Sequence, residues 1–169
     1  MSTVGPESRS FVPITHVHLH RLAAIAAADR ERFFACHPDW AAYYADRVLL
    51  VALCQGAALH YLHGDVGVHD FDLYTFYAAH PDRRWPARRR MCYDFGDSTF
   101  GGAPDRPHYR GRRVDVMGRS LPVAPNADPI AAVQAYLRSG QTETARLLAQ
   151  KAVVALAPAA WVGRVVWPM

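Results

Sequence analysis

The stretch 56-GAALHYLHGDVGVHDFDL-73 opens on a Gly-Ala pair and closes on two aspartates separated by one phenylalanine. Its first half, 57-AALHYLH-63, reads as a short helix ended by Gly64, a residue suited to the left-handed conformation of a helix C-terminus. The second half continues into 66-VGVHDFDLYTFYA-78, a strand apolar on both faces near its centre, which implies a sheet covered on both sides. In an extended strand, residues i and i+2 share a face at roughly 7 Å, so Asp70 and Asp72 project together while Phe71 and Leu73 face the opposite layer. Two carboxylates held side by side on an apolar element repel each other and resist ionisation unless a cation neutralises them. Hard oxygen donors of this kind suit Mg²⁺ or Mn²⁺.

Working outward, 48-VLLVALC-54 reads as a buried strand with Gly56 offering a turn after it. Upstream, Leu19, Leu22, Ala26 and Phe33 recur at helical spacing opposite the charged 29-DRER-32, and Pro38 starts a second helix carrying Trp40, Tyr43 and Tyr44, so residues 16–47 are expected to be helical. Downstream, 112-RRVDVMGRSL-121 alternates as a strand, and a short strand is expected around Met91 to Phe95. Asp128-Pro129 opens a helix that Gly140 ends, and Thr142 caps another running towards Leu156, so that residues 127–157 are read as C-terminal helices, with 161-WVGRVVWPM-169 extended. The expected architecture is α/β (α+β): a small mixed sheet with flanking N- and C-terminal helices in one domain, residues 1–169. The third acid, Asp115, sits between Val114 and Val116 on its own strand. Three carboxylates on neighbouring strands can hold two metals about 4 Å apart.

This constellation resembles the nucleotidyltransferase superfamily, the fold shared by polymerase beta and the minimal nucleotidyltransferases. The residues that carry the resemblance are Gln55, Gly56 and Ala57 in the turn, 69-HDFDL-73 with Asp70 and Asp72, and 114-VDV-116 with Asp115, within residues 48–121. The resemblance implies that Gly56 and Ala57 shape a turn holding the phosphates of a nucleoside triphosphate such as ATP. It implies that Asp70, Asp72 and Asp115 bind Mg²⁺ or Mn²⁺, and that a nucleoside monophosphate passes to an acceptor it does not name. Asp115 would then assist deprotonation of that acceptor. Ala57 departs from the family pattern, where glycine or serine is usual, although backbone N–H groups at the following helix N-terminus can still hold a phosphate. A non-catalytic member of the fold, binding nucleotide, nucleic acid or a protein partner, is the alternative.

Composition sets the outer bounds. A 169-residue chain that is 51% apolar suits one core large enough for a sheet and several helices. The start lacks the pattern of a secretory signal and no run is long enough for a membrane span. Cys36, Cys54 and Cys92 are odd in number and widely spaced, which suggests neither a disulfide framework nor a thiolate zinc site, and a reducing cytoplasm is expected. The net charge of +4 is concentrated in 83-RRWPARRR-90 and 109-YRGRR-113. The Arg83–Arg90 run is a candidate surface for phosphates or nucleic acid, a solvated loop being the alternative. Lys151 is the single lysine among nineteen basic residues. On the expected last helix it is a candidate triphosphate ligand, with a plain surface lysine as the alternative.

Three further motifs have two readings each. His16, His18 and His20 alternate in a spacing that can bind zinc from a strand, but without a nearby thiolate or carboxylate they read better as the lead-in to the first helix. Asp94, Asp97 and Ser98 in 93-YDFGDSTFGG-102 can form a substrate loop or supply a general base, against an ordinary turn-rich connection. Arg110, Arg112 and Arg113 can stabilise developing negative charge before Asp115, or simply balance an acidic site. A nucleic-acid-binding module lacks an aromatic-basic recognition motif, and a metal-dependent sugar transferase leaves Asp115 unexplained.

Overall fold

A computed structural model describes residues 9–86, 89–96, 100 and 111–169. Ala87, Arg88, Asp97, Ser98, Tyr109 and Arg110 lie outside the described residues.

The strand expected over 48–54 forms β1 (Val48–Cys54) and lies inside a six-stranded mixed sheet. The other strands are β2 (Phe71–Ala78), β3 (Arg90–Asp94), β4 (Arg113–Leu121), β5 (Ala152–Ala157) and β6 (Val165–Trp167), in the spatial order β3-β4-β2-β1-β5-β6. Only β2 and β4 run parallel; the other neighbours are antiparallel. The α+β architecture follows from the alternation within the central strands, interrupted in β1 at Leu49, which packs on the same side as Leu50. Val51, Leu53, Phe71, Leu73, Val154 and Leu156 point to one face, where Leu19, Leu22 and Ala26 of α1 (His16–Cys36) and Ala57 and Ala58 of α3 (Gln55–His63) cover them. Leu50, Ala52, Tyr74, Phe76, Val153 and Ala155 point to the other, beneath Ile130, Val133 and Leu137 of α4 (Pro129–Ser139) and Leu148 of α5 (Glu143–Ala149). Both faces of the central strands β1, β2 and β5 are therefore buried, as their apolar sequences require, while the edge strand β3 is largely exposed.

Local signals place the helix ends. Asp128 accepts a hydrogen bond from the Ala131 N–H, Thr142 from that of Ala145, and Gly64 and Gly140 adopt the left-handed conformation that ends α3 and α4. Pro38 opens α2 (Pro38–Tyr44), which with the end of α1 encloses an aromatic cluster of Tyr44, Tyr77 and Trp85.

Four expectations need correction. The helix expected from Thr142 towards Leu156 stops at Ala149, and 152–157 is β5. The run Ala-Val-Val-Ala-Leu-Ala is short and buried, and it pairs with both β1 and β6, so lateral strand pairing overrides a periodicity that fits either state. Residues 127–157 are thus two helices and a strand. The strand expected over 66–78 starts only at Phe71, because Gly67 has φ +79° and breaks the extended run, while Val68 bridges to Ser10. His16, His18 and His20 lie within the first turns of α1, not ahead of it, and the imidazole of His18 accepts the Thr15 N–H at 2.9 Å. The turn after β1 is made by Gln55, the first residue of α3, at φ +63°, and Gly56 lies within the helix.

Candidate metal and phosphate site

The three aspartates converge. Asp72 is the second residue of β2 and lies directly opposite Asp115 of β4 in the parallel pair, so a single register puts both carboxylates on one face. Cys54 is opposite Asp72 on the β1 side and Cys92 is opposite Asp115 on the β3 side, giving a row Cys54–Asp72–Asp115–Cys92 across four strands. Asp70, one residue before β2, joins from the loop. One carboxylate oxygen from each of Asp70, Asp72 and Asp115 lies within 4.8 Å of the others, and among the described residues these form the one cluster of three side chains able to hold a metal.

Two arginines and a thiol already engage this cluster. Arg90 makes a short charge-assisted hydrogen bond to Asp115 Oδ2, and Cys92 Sγ donates to Asp115 Oδ1 at 2.9 Å. Arg113 donates to Asp70 Oδ2 at 3.1 Å, and its Nε is 3.3 Å from Asp115 Oδ2, an ion pair without hydrogen-bond alignment. Asp115 is fully buried while Arg90 and Arg113 are about half exposed, so the acid is fixed and its partners reach in from the rim. Cys92 and Arg90 were not legible as site residues, because only the β3–β4 register brings them onto Asp115.

Asp72 has the least compensated charge. Burial, then the neighbouring Asp70 and Asp115 carboxylates, push its pKa from 3.8 up to about 7, against the opposing pull of Arg90 and Arg113. Burial, reinforced by Asp72, also holds the Cys54 thiol well above its usual range, so Cys54 is no thiolate ligand. Three carboxylates against two guanidiniums leave an excess negative charge among hard oxygen donors. That donor set fits a divalent cation of the Mg²⁺ or Mn²⁺ class.

Beside the acids lies a cleft of about 190 Å³ whose walls include Gln55, Gly56, Ala57, Asp70, Asp72 and Lys151. Lys151 stands at the entry to β5 instead of on a helix, and its Nζ lies 3.9 Å from where a Gly56 Cβ would be. The β1–α3 turn, two of the acids and the single lysine thus share one space. Gln55 holds a left-handed backbone conformation that a side chain rarely adopts, strain of a kind that clusters at binding sites.

The remaining candidates disperse. Within the Arg83–Arg90 run, Arg83 pairs with Asp39 at 3.0 Å, Arg89 forms a two-pronged pair with buried Asp29, and Arg90 faces Asp115, so three of its arginines are held by carboxylates. Arg112 is buried and donates from Nε to the Phe100 carbonyl. Asp94 accepts the Gly96 N–H and shapes its own turn. His16 faces the Tyr61 hydroxyl, away from His18. Among the described residues, no helix is long and apolar enough to cross a membrane. No family model matches the chain, and no curated protein or solved structure matches it.

Proposed function

We propose that the chain is a metal-dependent nucleotidyltransferase that moves a nucleoside monophosphate from a nucleoside triphosphate to an acceptor hydroxyl. The observation that supports this best is the meeting of Asp70, Asp72 and Asp115 with the Gln55–Ala57 turn and Lys151 around one cleft. Asp70, Asp72 and Asp115 would hold Mg²⁺ or Mn²⁺, which supplies charge neutralisation at the phosphates. The backbone of the turn and the Lys151 ammonium would receive the outer phosphates. Asp115 would help draw the proton from the acceptor oxygen as that oxygen bonds to the α-phosphorus and the bond to pyrophosphate breaks, the electron pair leaving with pyrophosphate.

One observation favours a second reading. Arg90 and Arg113 occupy oxygens of Asp115 and Asp70 that a metal would use, and Ala57 lacks a phosphate-binding hydroxyl. Together these suit a nucleotide-binding protein without transfer activity. Thermal unfolding with each nucleoside triphosphate, with and without Mg²⁺ or Mn²⁺, tests the site, and pyrophosphate release separates the readings. A ligand at a hundred times its Kd stabilises by about 2.7 kcal/mol. The proposal requires a metal-dependent stabilisation that Asp72→Ala removes, together with pyrophosphate release. Stabilisation without release supports the second reading, and no stabilisation by any nucleotide overturns both.

A further inference from the structure

The two edges of the sheet are built differently. β6 is three residues long, its register with β5 shifts between Val153 and Val154, and Pro168 follows it at once, so it offers little to a further strand. β3 lies at the other end of the strand order and, among the described residues, has a strand neighbour on one side only. It runs in unbroken register with β4 from Arg90 to Asp94, contains neither proline nor glycine, and is exposed at Arg90, Met91, Cys92 and Asp94. A regular, uncovered edge of this kind directs backbone N–H and C=O groups outward and favours pairing with another strand.

The residues of β3 are complementary to a copy of themselves. In 90-RMCYD-94 a two-fold axis through Cys92 sets Arg90 opposite Asp94, Met91 opposite Tyr93 and Cys92 opposite its own counterpart in an antiparallel pair. No other centre sets Arg90 against Asp94. Both charges can reach their counterparts: Arg90, about half exposed, donates to Asp115 through Nη2, and Asp94, exposed, accepts the Gly96 N–H on Oδ1. On the α1 side of the sheet, Met91 and Tyr93 border a groove of about 590 Å³ that Phe33, Cys36 and Trp40 also line. Met91 is 43% exposed there, and the pairing covers it with the Tyr93 ring of the other strand.

We propose that β3 pairs antiparallel with β3 of a second copy of this chain, joining two six-stranded sheets edge to edge about a two-fold axis at Cys92. The pairing covers the open edge of both copies, and the short, proline-ended β6 leaves no comparable edge for a third, so the assembly closes as a dimer. An edge carrying charges of one sign would repel its copy. This one carries one charge of each sign, placed so that an Arg–Asp contact forms twice by symmetry. The interface goes beyond the proposed nucleotide chemistry and does not depend on the acids binding metal.

Sedimentation velocity of the full chain over a wide range of concentration should show a monomer giving way to a dimer. Asp94→Arg and Arg90→Glu, each checked for cooperative urea unfolding, place like charges at both symmetric contacts and should weaken the dimer at least about tenfold. An equimolar mixture of the two folded variants has opposite charges at both contacts again and should dimerise like the wild type. Independently of whether either variant folds, a bismaleimide should link Cys36→Ser chains in pairs through Cys92, and should fail to link Cys36→Ser/Cys92→Ser chains, since Cys54 is buried. A chain that stays monomeric at every concentration overturns the proposal and leaves the edge to some other occupant. A dimer equally strong in both charge variants, a mixture no better than its components, or absence of the Cys92 crosslink also overturns it, because the copies would then meet elsewhere.

Discussion

Replacing Asp72 with asparagine should make the metal-free protein more stable at pH 8 and leave it unchanged at pH 4. Asp72 is pushed up to about pKa 7 in the folded chain, first by burial and then by Asp70 and Asp115, whereas the unfolded chain releases the proton near 3.8. Between those values the native state binds more protons than the unfolded state, so stability falls as pH rises and levels off above 7. A displacement of about three decades of proton concentration corresponds to roughly 4 kcal/mol. The asparagine variant, isosteric and without that charge, lacks the decline. Urea unfolding of both proteins in the presence of a chelator, at steps from pH 4 to pH 8, measures the difference directly. The two curves should coincide at pH 4 and diverge to roughly 4 kcal/mol in favour of the variant at pH 8. Adding Mg²⁺ or Mn²⁺ at pH 8 should then stabilise the wild-type protein alone. Parallel curves, or a variant less stable than wild type at pH 8, would refute the view that Asp72 is an uncompensated buried charge.

Gly118→Ala should destabilise the fold by about 1–3 kcal/mol, because the added methyl meets Trp85 Nε1 at 2.5 Å and that ring is wedged among Tyr44, Tyr77 and Phe33; urea unfolding measures it. Arg89→Ala should cost about 3–5 kcal/mol, because it strips both guanidinium hydrogen bonds from Asp29, which is 2% exposed. Chemical denaturation of Arg89→Ala beside Asp29→Asn/Arg89→Ala should show the second substitution recovering part of that loss.

The alternating strands, the helix caps at Asp128 and Thr142 and the glycines ending α3 and α4 were legible because each is a local signal. Asp70, Asp72 and Asp115 were legible for a related reason: a charged side chain inside an otherwise apolar run conflicts with its surroundings, and that conflict is visible in the chain itself. What escaped depended on lateral pairing. Nothing local distinguishes 152-AVVALA-157 from a helix, so β5 was hidden, and with it the strand position of Lys151. The same applies to Cys92 and Arg90, whose contacts with Asp115 exist only through the β3–β4 register. The left-handed turn at Gln55 was assigned to the neighbouring glycine because side chains rarely take that conformation.

The placement of β5 against β1 bears on how the chain reaches its native state while it is being made. β1 is an apolar seven-residue strand, and the partner for one of its edges lies about a hundred residues further along the chain. At ribosomal speeds of about 5–20 residues per second, that edge stays without its strand for roughly 5 to 20 seconds after β1 emerges. During this interval β1 can pair with other nascent chains, so yield on expression should depend on chaperones or lowered temperature more than the finished fold suggests. The same delay means that Lys151 reaches the cleft only when β5 docks, so nascent chains shorter than this have the three acids and their arginine partners without the Lys151 ammonium.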